Sequence, residues 1–475
     1  MMKKTFFLYM LMAFVTAFGM QSCSDDDDAS PKATYINVFR DSTAIDQLRF
    51  QIPASFVIIG IDCDADWTAS VADESWVTIS NHAGYGSATK RSYIRVDVQK
   101  NDGEMRTNTI TFVSGNLTKS IAIEQSGTGL DPSDPFESAY DFVLNMGMGY
   151  NLGNTLDSKP EGSWWDPTGK TTADWETAWG QPVTTPEIIN TIAERGFTVF
   201  RIPVTWAPHA DENDVIDKAW MDRVEEVVNY VLDANCYCIL NVQHDSGSNT
   251  WLCADPDNYP AISARFQKFW NQIATRFNKY GEKLLFEAFN EILDKNYNWG
   301  DPADPAAYDV VNKLEQDFVN TVRATGGYNE YRNLVVNTYS AGHTVAKLNG
   351  FAAPADVHPN HILASVHSYD PYNFCCDNGE WNISIFDASC EQEIDDLVNR
   401  VATAFGNKGV PFFFGEFGAI DANKSMTERI KYARYFTKAM RARGTYGLWW
   451  MGLIDRKTLK WYESEIVDAL FESAQ

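Results

Sequence analysis

Two glutamates close short apolar runs that lie far apart in the chain. Glu291 follows the run 284–289 in the stretch LLFEAFNEILD, and Glu416 follows the run 411–414. A short apolar run bounded by polar residues is typical of a buried parallel strand. Two carboxyl groups that face each other could act as proton donor and nucleophile, as the hydrolysis of a glycosidic bond requires. Because a single glutamate at a strand end is usually a solvated loop residue, the hypothesis depends on the other strand ends.

Eight apolar runs alternate with amphipathic helical segments, which predicts an α/β fold. The runs are 148–154, 197–204, 236–242, 284–289, 334–337, 362–368, 411–414 and 444–450. The helical segments are 137–145, 186–194, 218–232, 262–279, 307–324, 390–405 and 425–442. Eight strand–helix units in about 340 residues fit a (β/α)₈ TIM barrel, with its active site at the C-terminal ends of the strands. A doubly wound sheet is the alternative, but no glycine-rich phosphate loop follows the first run.

Polar and aromatic residues recur at these predicted strand ends. They are Asn154, Arg201, Gln243, His244, Asn290, Glu291, His367, Tyr369, Glu416, Trp449 and Trp450. Arg201 alone could form a surface ion pair, and His367 alone could be a buried structural histidine. Together the set predicts a substrate-shaped site at one end of the barrel.

The first residues have the pattern of a targeting segment. Lys3 and Lys4 precede the apolar run 5–20, and a small residue stands before Cys23. This pattern resembles a bacterial lipoprotein signal over 1–22, with Cys23 as the lipid-modified residue. The acidic segment 23–33 that follows resembles the surface-export signal of Bacteroidetes lipoproteins, although it could equally be a solvated tether. A plain signal peptide or an anchor helix is the alternative for the whole segment.

Residues 34–127 carry short runs of period two separated by turn residues, which predicts a small all-β immunoglobulin-like sandwich. The stretches around Trp67 and Trp76, with the closing segment 121–127, resemble the BACON domain. Either this domain binds glycan or it is a spacer with both tryptophans in its core, and we favour the spacer. Segment 128–135, rich in Asp, Pro and Ser, is the predicted linker to a catalytic domain at 136–475.

Composition limits the function further. The formal net charge is −25, and such a surface repels nucleic acid. Of the eight cysteines, Cys236 and Cys238 lie on one face of a predicted strand without the spacing of a zinc site. Cys375 or Cys376 could form a loop disulfide with Cys390. We expect no cofactor and no metal.

The barrel segment resembles glycoside hydrolase family 5, in particular its subfamily 4. The matching stretches are YNLGNTLD at 150–157, ETAWG at 176–180, FRIPVTW at 200–206 and FNE at 289–291. The resemblance implies that Glu291 is the acid/base and Glu416 the nucleophile. It also implies that Arg201, His244, Asn290, His367, Tyr369, Trp449 and Trp450 bind substrate. Gln243 departs from the family pattern, where a second histidine is usual, and so does Met451-Gly452 after the tryptophans.

The resemblance therefore implies a retaining endo-β-1,4-glucanase that acts on a β-glucan polysaccharide or oligosaccharide. The alternatives are a xyloglucanase, a mixed-linkage glucanase or a xylanase of the same family, or a surface glycan-binding protein without catalysis. Trp164, Trp165, Trp206 and Trp251 are candidate stacking platforms for sugar rings, with core packing as the alternative for each. We expect a monomer that is lipid-anchored at the outer membrane and faces outward.

Overall fold

The computed structural model describes residues 32–40, 43–50, 55–99, 101, 106–125 and 136–474. The predicted signal peptide, Cys23, most of the acidic segment and the linker 128–135 lie outside these residues. Within them, no helix combines the length and the apolar character needed to cross a membrane.

The N-terminal region contains ten strands in two five-stranded sheets. The strands are β1 (Ile36–Arg40), β2 (Thr43–Ala44), β3 (Gln47–Phe50), β4 (Ser55–Cys63), β5 (Trp67–Val71), β6 (Val77–Ile79), β7 (Ala83–Gly84), β8 (Ser92–Val98), β9 (Arg106–Ser114) and β10 (Leu117–Gln125). Their order is β2-β1-β4-β8-β6 in one sheet and β3-β10-β9-β5-β7 in the other. The alternating side chains form a shared core that includes Trp67 and Trp76, as period-two strands in a sandwich require.

The C-terminal region is a closed barrel of eight parallel strands in chain order. The strands are β11 (Gly149–Asn151), β12 (Val199–Ile202), β13 (Tyr237–Asn241), β14 (Leu284–Glu287), β15 (Leu334–Asn337), β16 (Ile362–Ser368), β17 (Phe412–Phe417) and β18 (Gly447–Trp450). A short hairpin, β19 (Ile454–Asp455) with β20 (Lys460–Trp461), follows the last barrel strand. The predicted TIM barrel preceded by an all-β domain is confirmed.

Eleven α-helices lie within the part of the chain that the structure describes. They are α1 (Ala139–Asn145), α2 (Thr172–Glu176), α3 (Pro186–Glu194), α4 (Lys218–Asp233), α5 (Tyr259–Arg276), α6 (Ala306–Ala324), α7 (Val345–Gly350), α8 (Tyr372–Cys375), α9 (Ala388–Lys408), α10 (Met426–Arg441) and α11 (Ser464–Ala474). The long outer helices bury one apolar face against the strands, which places their side chains in the main core. Helix α1 closes the opposite end of the barrel, where Phe142 packs on Tyr237 and Phe413.

The pairing of β16 with β17 contains an irregularity that positions the site. Val366 pairs with Phe414, but the next residue, His367, pairs with Glu416, so Gly415 is an extra residue on β17. Bulges of this kind redirect the side chains that follow them and are common beside active sites. Here the bulge brings His367 and Glu416 to the same level of the barrel.

Candidate active site

Glu416 lies near the C-terminal end of β17 and is almost fully buried. Its Oε1 accepts a hydrogen bond from Arg201 Nη1 at 2.8 Å, and its Oε2 accepts one from the Tyr369 hydroxyl at 2.7 Å. Two donors, one of them charged, hold the carboxylate in one orientation. Such a carboxylate is suited to attack on carbon.

Glu291 follows β14 on the other side of the barrel mouth and is more exposed than Glu416. Its side chain is 20% exposed, against 6% for Glu416. Its Oε1 lies 2.9 Å from His367 Nδ1, and the same nitrogen lies 3.6 Å from Glu416 Oε1. Among the described residues, His367 is the one basic side chain within ion-pair distance of Glu291, whereas Glu416 also meets Arg201.

The two carboxyl groups lie close together. One oxygen of Glu291, one of Glu416 and a ring nitrogen of His367 all lie within 4.8 Å of one another. Oxygens this close are compatible with the separation of about 5–5.5 Å between the two carboxyl groups of retaining glycosidases.

These three residues have the donor atoms that a metal ion would need. However, both oxygens of Glu416 already accept hydrogen bonds, and the Arg201 guanidinium lies beside them. A fixed positive charge at that position disfavours a second cation. We therefore assign the three side chains to acid–base and nucleophilic chemistry.

Arg201 occupies the centre of the site and is fully buried. Besides Glu416, it donates to Glu287 Oε2 at 2.5 Å, to Asn151 Oδ1 at 3.1 Å and to Asn290 Oδ1 at 3.0 Å. Burial alone would lower the pKa of Arg201, but the charges of Glu287 and Glu416 raise it above its ordinary value. The guanidinium is therefore a permanent, fixed cation.

The contact with Arg201 also orients Asn290. Since the amide oxygen is occupied by the guanidinium, the Nδ2 hydrogens remain as the donors that Asn290 can offer to a substrate hydroxyl. Hydrogen bonds to the sugar 2-hydroxyl strengthen in the transition state of glycoside hydrolysis.

His367 is held between the two carboxyl groups. Burial acts to lower the pKa of His367, whereas the charge of Glu416 and the hydrogen bond to Glu291 together raise it above the usual range. The ring links the acid/base and the nucleophile electrostatically.

The residues predicted after β11 and β13 have different environments. His244 is partly exposed, lies 3.6 Å from Asp157 and packs against the ring of Trp179. Asn154 has a positive φ of 59°, and its N–H donates to Asp157. Gln243 is 1% exposed, and its Oε1 accepts a hydrogen bond from Asn241. Thus His244 is available to substrate, whereas Oε1 of Gln243 already accepts a hydrogen bond within the barrel.

The adjacent tryptophans Trp449 and Trp450 lie in different environments. The Trp450 ring covers Gly153, whose added Cβ would lie 2.9 Å from it, at the mouth of the barrel. Trp449 is 2% exposed and packs against Phe417 and Tyr432. Successive side chains of a strand point to opposite faces, so only one of the two can face the cleft. The burial of Trp449 favours Trp450 as the ring that meets substrate, and substrate binding by either ring stays a prediction.

The four loop tryptophans also differ from one another. Trp206 is fully buried and donates to Asn241 O, so its role as a stacking platform was wrong. Trp251 is partly buried and donates to Asp245. Trp164 is 64% exposed and packs against the partly buried Trp165. Only Trp164 and Trp165 present a paired aromatic surface.

Several groups at the site were not predicted. Trp299 and Trp381 are 52% and 72% exposed, in the loops after β14 and β16. Their position after strand ends, the criterion that selected Trp251, would have found them. Glu287 was not predicted because it lies inside an apolar run. A charged residue is unusual in such a run, and that signal could have identified it.

The loop disulfide considered for Cys375 or Cys376 with Cys390 is not present among the described residues. Cys375, Cys376 and Cys390 are free, as are the other cysteines among the described residues. Cys375 and Cys390 are buried as thiols in the main core.

Comparisons with known proteins agree with this geometry. Residues 165–453 match Cellulase (glycosyl hydrolase family 5), and residues 65–126 match the BACON domain. The chain belongs to glycosyl hydrolase family 5. It is therefore a glycoside hydrolase, and the family and N-terminal domain type expected from the sequence are confirmed.

Three relatives show the extent of the similarity. Cellulase/esterase CelE of Acetivibrio thermocellus is 38% identical over 71% of this chain, but the chain spans only 40% of that protein. Xyloglucan-specific endo-beta-1,4-glucanase BoGH5A of Bacteroides ovatus is 32% identical over 86% of this chain and 82% of its own length. The crystal structure of PbGH5A from Prevotella bryantii, with a bound xyloglucan tetradecasaccharide, is 36% identical, with a TM-score of 0.66 over 72% of this chain and 99% of that one.

Proposed function

We propose that this family 5 enzyme is a retaining endo-β-1,4-glucanase that cleaves plant polysaccharides. The observation that carries the proposal is the pair of carboxyl groups with oxygens within 4.8 Å of each other. One of them is held by Arg201 and Tyr369, and among the described residues the other has His367 as its hydrogen-bond partner. This asymmetry supports the role of nucleophile for Glu416 and of proton donor for Glu291.

In the first step Glu416 attacks the anomeric carbon while Glu291 donates its proton to the glycosidic oxygen. The glycosidic bond breaks, the shortened chain leaves as an alcohol, and the sugar remains as an ester of Glu416. In the second step Glu291, now a carboxylate, removes a proton from water. The hydroxide attacks the same carbon, and Glu416 leaves as a carboxylate, so the configuration is retained.

The surrounding side chains support each step. Arg201 and Tyr369 hold Glu416 in the orientation needed for attack. Asn290 offers its amide hydrogens to the sugar, and Trp450 provides a ring on which the sugar can stack. His367 compensates the negative charge that builds up on Glu291 when the proton leaves.

Aromatic residues on several loops favour an internal cleavage site. Trp164, Trp299 and Trp381 extend from the loops after β11, β14 and β16 and are largely exposed. Exposed rings on loops that follow several barrel strands suit a long chain better than a single terminal sugar. Xyloglucan is the second candidate substrate, because the Bacteroides ovatus relative is specific for it and the Prevotella bryantii structure contains it.

The sandwich domain is proposed to be a spacer. Trp67 and Trp76 are buried in its core. On its outer face Arg91 covers Phe39 at 3.9 Å and Arg95 covers Phe56 at 3.8 Å. Rings covered by guanidinium groups are not free to stack on a sugar.

The location of the enzyme is proposed from the sequence alone. The basic and apolar segment before Cys23 supports lipid attachment at that residue, and the acidic segment after it supports display on the cell surface. We propose that the protein acts there as a monomer. Labelling with radioactive palmitate, absent from a Cys23→Ala variant, tests the attachment.

The substrate is tested by incubating the purified protein with carboxymethyl cellulose, barley mixed-linkage glucan, tamarind xyloglucan and xylan. We expect reducing ends to appear together with a rapid fall in viscosity, which marks internal cleavage. Proton NMR should show the β-anomer first. Binding without release of reducing ends would favour a non-catalytic glycan-binding protein, and initial release of the α-anomer would contradict retention.

A further inference from the structure

Arg201 lies between two buried carboxyl groups, and only one of them is the nucleophile. Its Nε donates to Glu287 Oε2 at 2.5 Å, and its Nη1 donates to Glu416 Oε1 at 2.8 Å. The side chains of Arg201 and Glu287 are both 0% exposed. Glu287 lies on β14, four residues before Glu291, and is too deep in the barrel to meet substrate.

A second buried glutamate approaches Glu287 from outside the barrel. Glu315 lies on α6, and its Oε1 accepts a hydrogen bond from the backbone N–H of Asn337 at 2.7 Å. The Asn337 side chain donates through Nδ2 to Glu287 Oε1 at 3.1 Å. Asn337 therefore connects the two glutamates, and Glu287 connects Asn337 to Arg201 and the nucleophile.

The two glutamates differ in their partners. Glu287 is paired with a cation, whereas no Lys or Arg forms an ion pair with Glu315 among the described residues. Oε2 of Glu315 and Oδ1 of Asn337 are both buried without a hydrogen-bond partner. Burial raises the pKa of Glu315 well above its ordinary value, and the charge of Glu287 adds to this effect. A carboxylic-acid proton on Glu315 would avoid the cost of a buried unpaired charge.

We propose that Glu287 is an ionised positioning residue that balances the charge of Arg201 behind the nucleophile, and that Glu315 is a neutral acid that holds Asn337. This inference rests on the proposed retaining mechanism. Glu287 touches neither substrate nor reacting atoms and acts only through Arg201.

The charge of Glu287 has a direct consequence for Glu416. The groups that face Glu416 are Arg201, Tyr369, His367 and Glu291. Without the negative charge of Glu287, the full charge of Arg201 would act on Glu416. The guanidinium would then stabilise the ionised carboxylate more strongly and make it a weaker nucleophile.

The test compares Glu287→Gln with the matched control Glu315→Gln. Both substitutions replace a fully buried glutamate that contacts Asn337. In Glu287→Gln the new side-chain oxygen can still accept from Arg201. The new N–H can donate to Asn337 if the Asn337 amide flips so that its unpartnered Oδ1 faces position 287. The measured quantity is kcat/KM for an aryl β-cellobioside as a function of pH, because this ratio reports the first chemical step.

For Glu287→Gln we expect kcat/KM to fall by roughly 10- to 100-fold, with the acidic limb of its pH profile about one unit lower. For Glu315→Gln we expect a change of less than about twofold and an unmoved limb, because a neutral group replaces a neutral group. Glu287→Asp keeps the charge but shortens the side chain, so it should lower the rate without moving the limb. An unmoved limb in Glu287→Gln, or an equal displacement in Glu315→Gln, would overturn the proposal.

Infrared spectroscopy tests the charge assignment without relying on activity. Glu282 also absorbs as a carboxylic acid at neutral pH, so the measurement is the difference spectrum against the unsubstituted protein, in which Glu315→Gln should lose one carboxylic-acid C=O band. The same band should persist in Glu287→Gln, or in Glu287→Asp if the glutamine variant does not fold. A band lost on substitution of Glu287, or one unaffected by Glu315→Gln, would contradict the assignment. If the unsubstituted protein hydrolyses no glycoside, the proposed function fails, and the infrared result still decides the charge of each glutamate.

Discussion

At the scale of single residues, Glu291 and Glu416 are chemically identical and differ only in their neighbours. Glu416 accepts hydrogen bonds from Arg201 and Tyr369, and Glu291 faces His367 at 2.9 Å. Because a protein distinguishes two carboxyl groups by charge, hydrogen bonding and burial, these contacts assign the roles.

Substitution of the nucleophile tests its role directly. Glu416→Ala should abolish hydrolysis, because no ester with the sugar can form. Added azide can occupy the space of the lost carboxylate and attack the anomeric carbon, so we expect partial rescue with a product of opposite anomeric configuration. Activity measurement and NMR of the azide product check this, and a retained configuration would contradict the assignment.

Substitution of the acid/base should have a different result. Glu291→Ala removes the proton donor but leaves Glu416, so cleavage of natural glucan should fall by about 10²- to 10⁴-fold. Substrates with a good aryl leaving group need no proton, and their first step should continue. Rapid-mixing kinetics should show a burst of phenol release, and azide should give a product of retained configuration. If the two variants exchanged these results, the roles would be reversed.

At the scale of elements, the bulge in β17 determines where the nucleophile points. An added Cβ at Gly415 would lie 2.2 Å from Ser365 Oγ and 3.1 Å from His367 Nε2. Only a residue without a side chain lets β16 and β17 approach so closely at this level. The backbone carbonyl of Gly415 also accepts a hydrogen bond from Asn151 at 2.9 Å, which ties the bulge to β11.

Gly415→Ala should therefore lower both stability and activity. We expect a destabilisation of about 1–3 kcal/mol from overpacking, with a loss of kcat/KM because His367 and Glu416 must move. Gly406→Ala is the control, because it lies in α9 with no atom near its added Cβ and should stabilise the helix by about 0.5–1 kcal/mol. Chemical denaturation measures the stability of both variants, and kinetics measures their kcat/KM. If the two variants changed both quantities equally, the close approach at Gly415 would have no functional role.

At the scale of the whole molecule, the end of the barrel opposite the active site contains a group of acids. The N–H of Glu137 donates to Glu282 Oε2 at 2.8 Å, and Arg40 of the sandwich domain lies 3.9 Å from Glu137. Burial raises the pKa of Glu282 to about 8, and the charge of Glu137 contributes to the increase.

This arrangement makes stability depend on pH. Because the folded chain binds the proton of Glu282 more tightly than the unfolded chain does, folding stability falls as pH rises from about 4.5 to about 8. Glu282→Gln should remove this dependence, so its Tm should exceed that of the unsubstituted protein increasingly between pH 5 and pH 8. Glu212→Gln, at an exposed position, serves as the control and should follow the unsubstituted protein. Calorimetry that gave parallel curves for all three proteins would contradict the prediction.

The two domains are expected to act independently in catalysis. Arg40 and Glu137 form a contact near the junction, and among the described elements no strand of the sandwich pairs with a strand of the barrel. A fragment that begins at residue 136 should retain the kcat of the full chain on soluble glucan. A large loss of kcat would contradict the spacer role, and a loss confined to insoluble substrate would favour glycan binding by the sandwich.

The sequence by itself determined the barrel, the order of its strands and the two glutamates proposed for catalysis. Runs such as 284–289 and 411–414 are mostly apolar because most side chains of a strand buried on both faces contact other apolar groups. That requirement is local, so it can be read from consecutive residues. In a parallel barrel the strand ends all meet at one face, which is why Glu291 and Glu416 could be paired across 125 positions of sequence.

The tertiary structure decided the direction of each side chain and the charge of each buried acid. Trp449 and Trp450 are adjacent and identical, and only their packing distinguishes them, Trp449 against Phe417 and Trp450 over Gly153. Gly415 could not be recognised as a bulge until β16 was placed beside it. Glu287 and Glu315 differ only because one meets Arg201 and the other does not. These properties depend on contacts between residues far apart in the chain, and such contacts exist only once the barrel has closed.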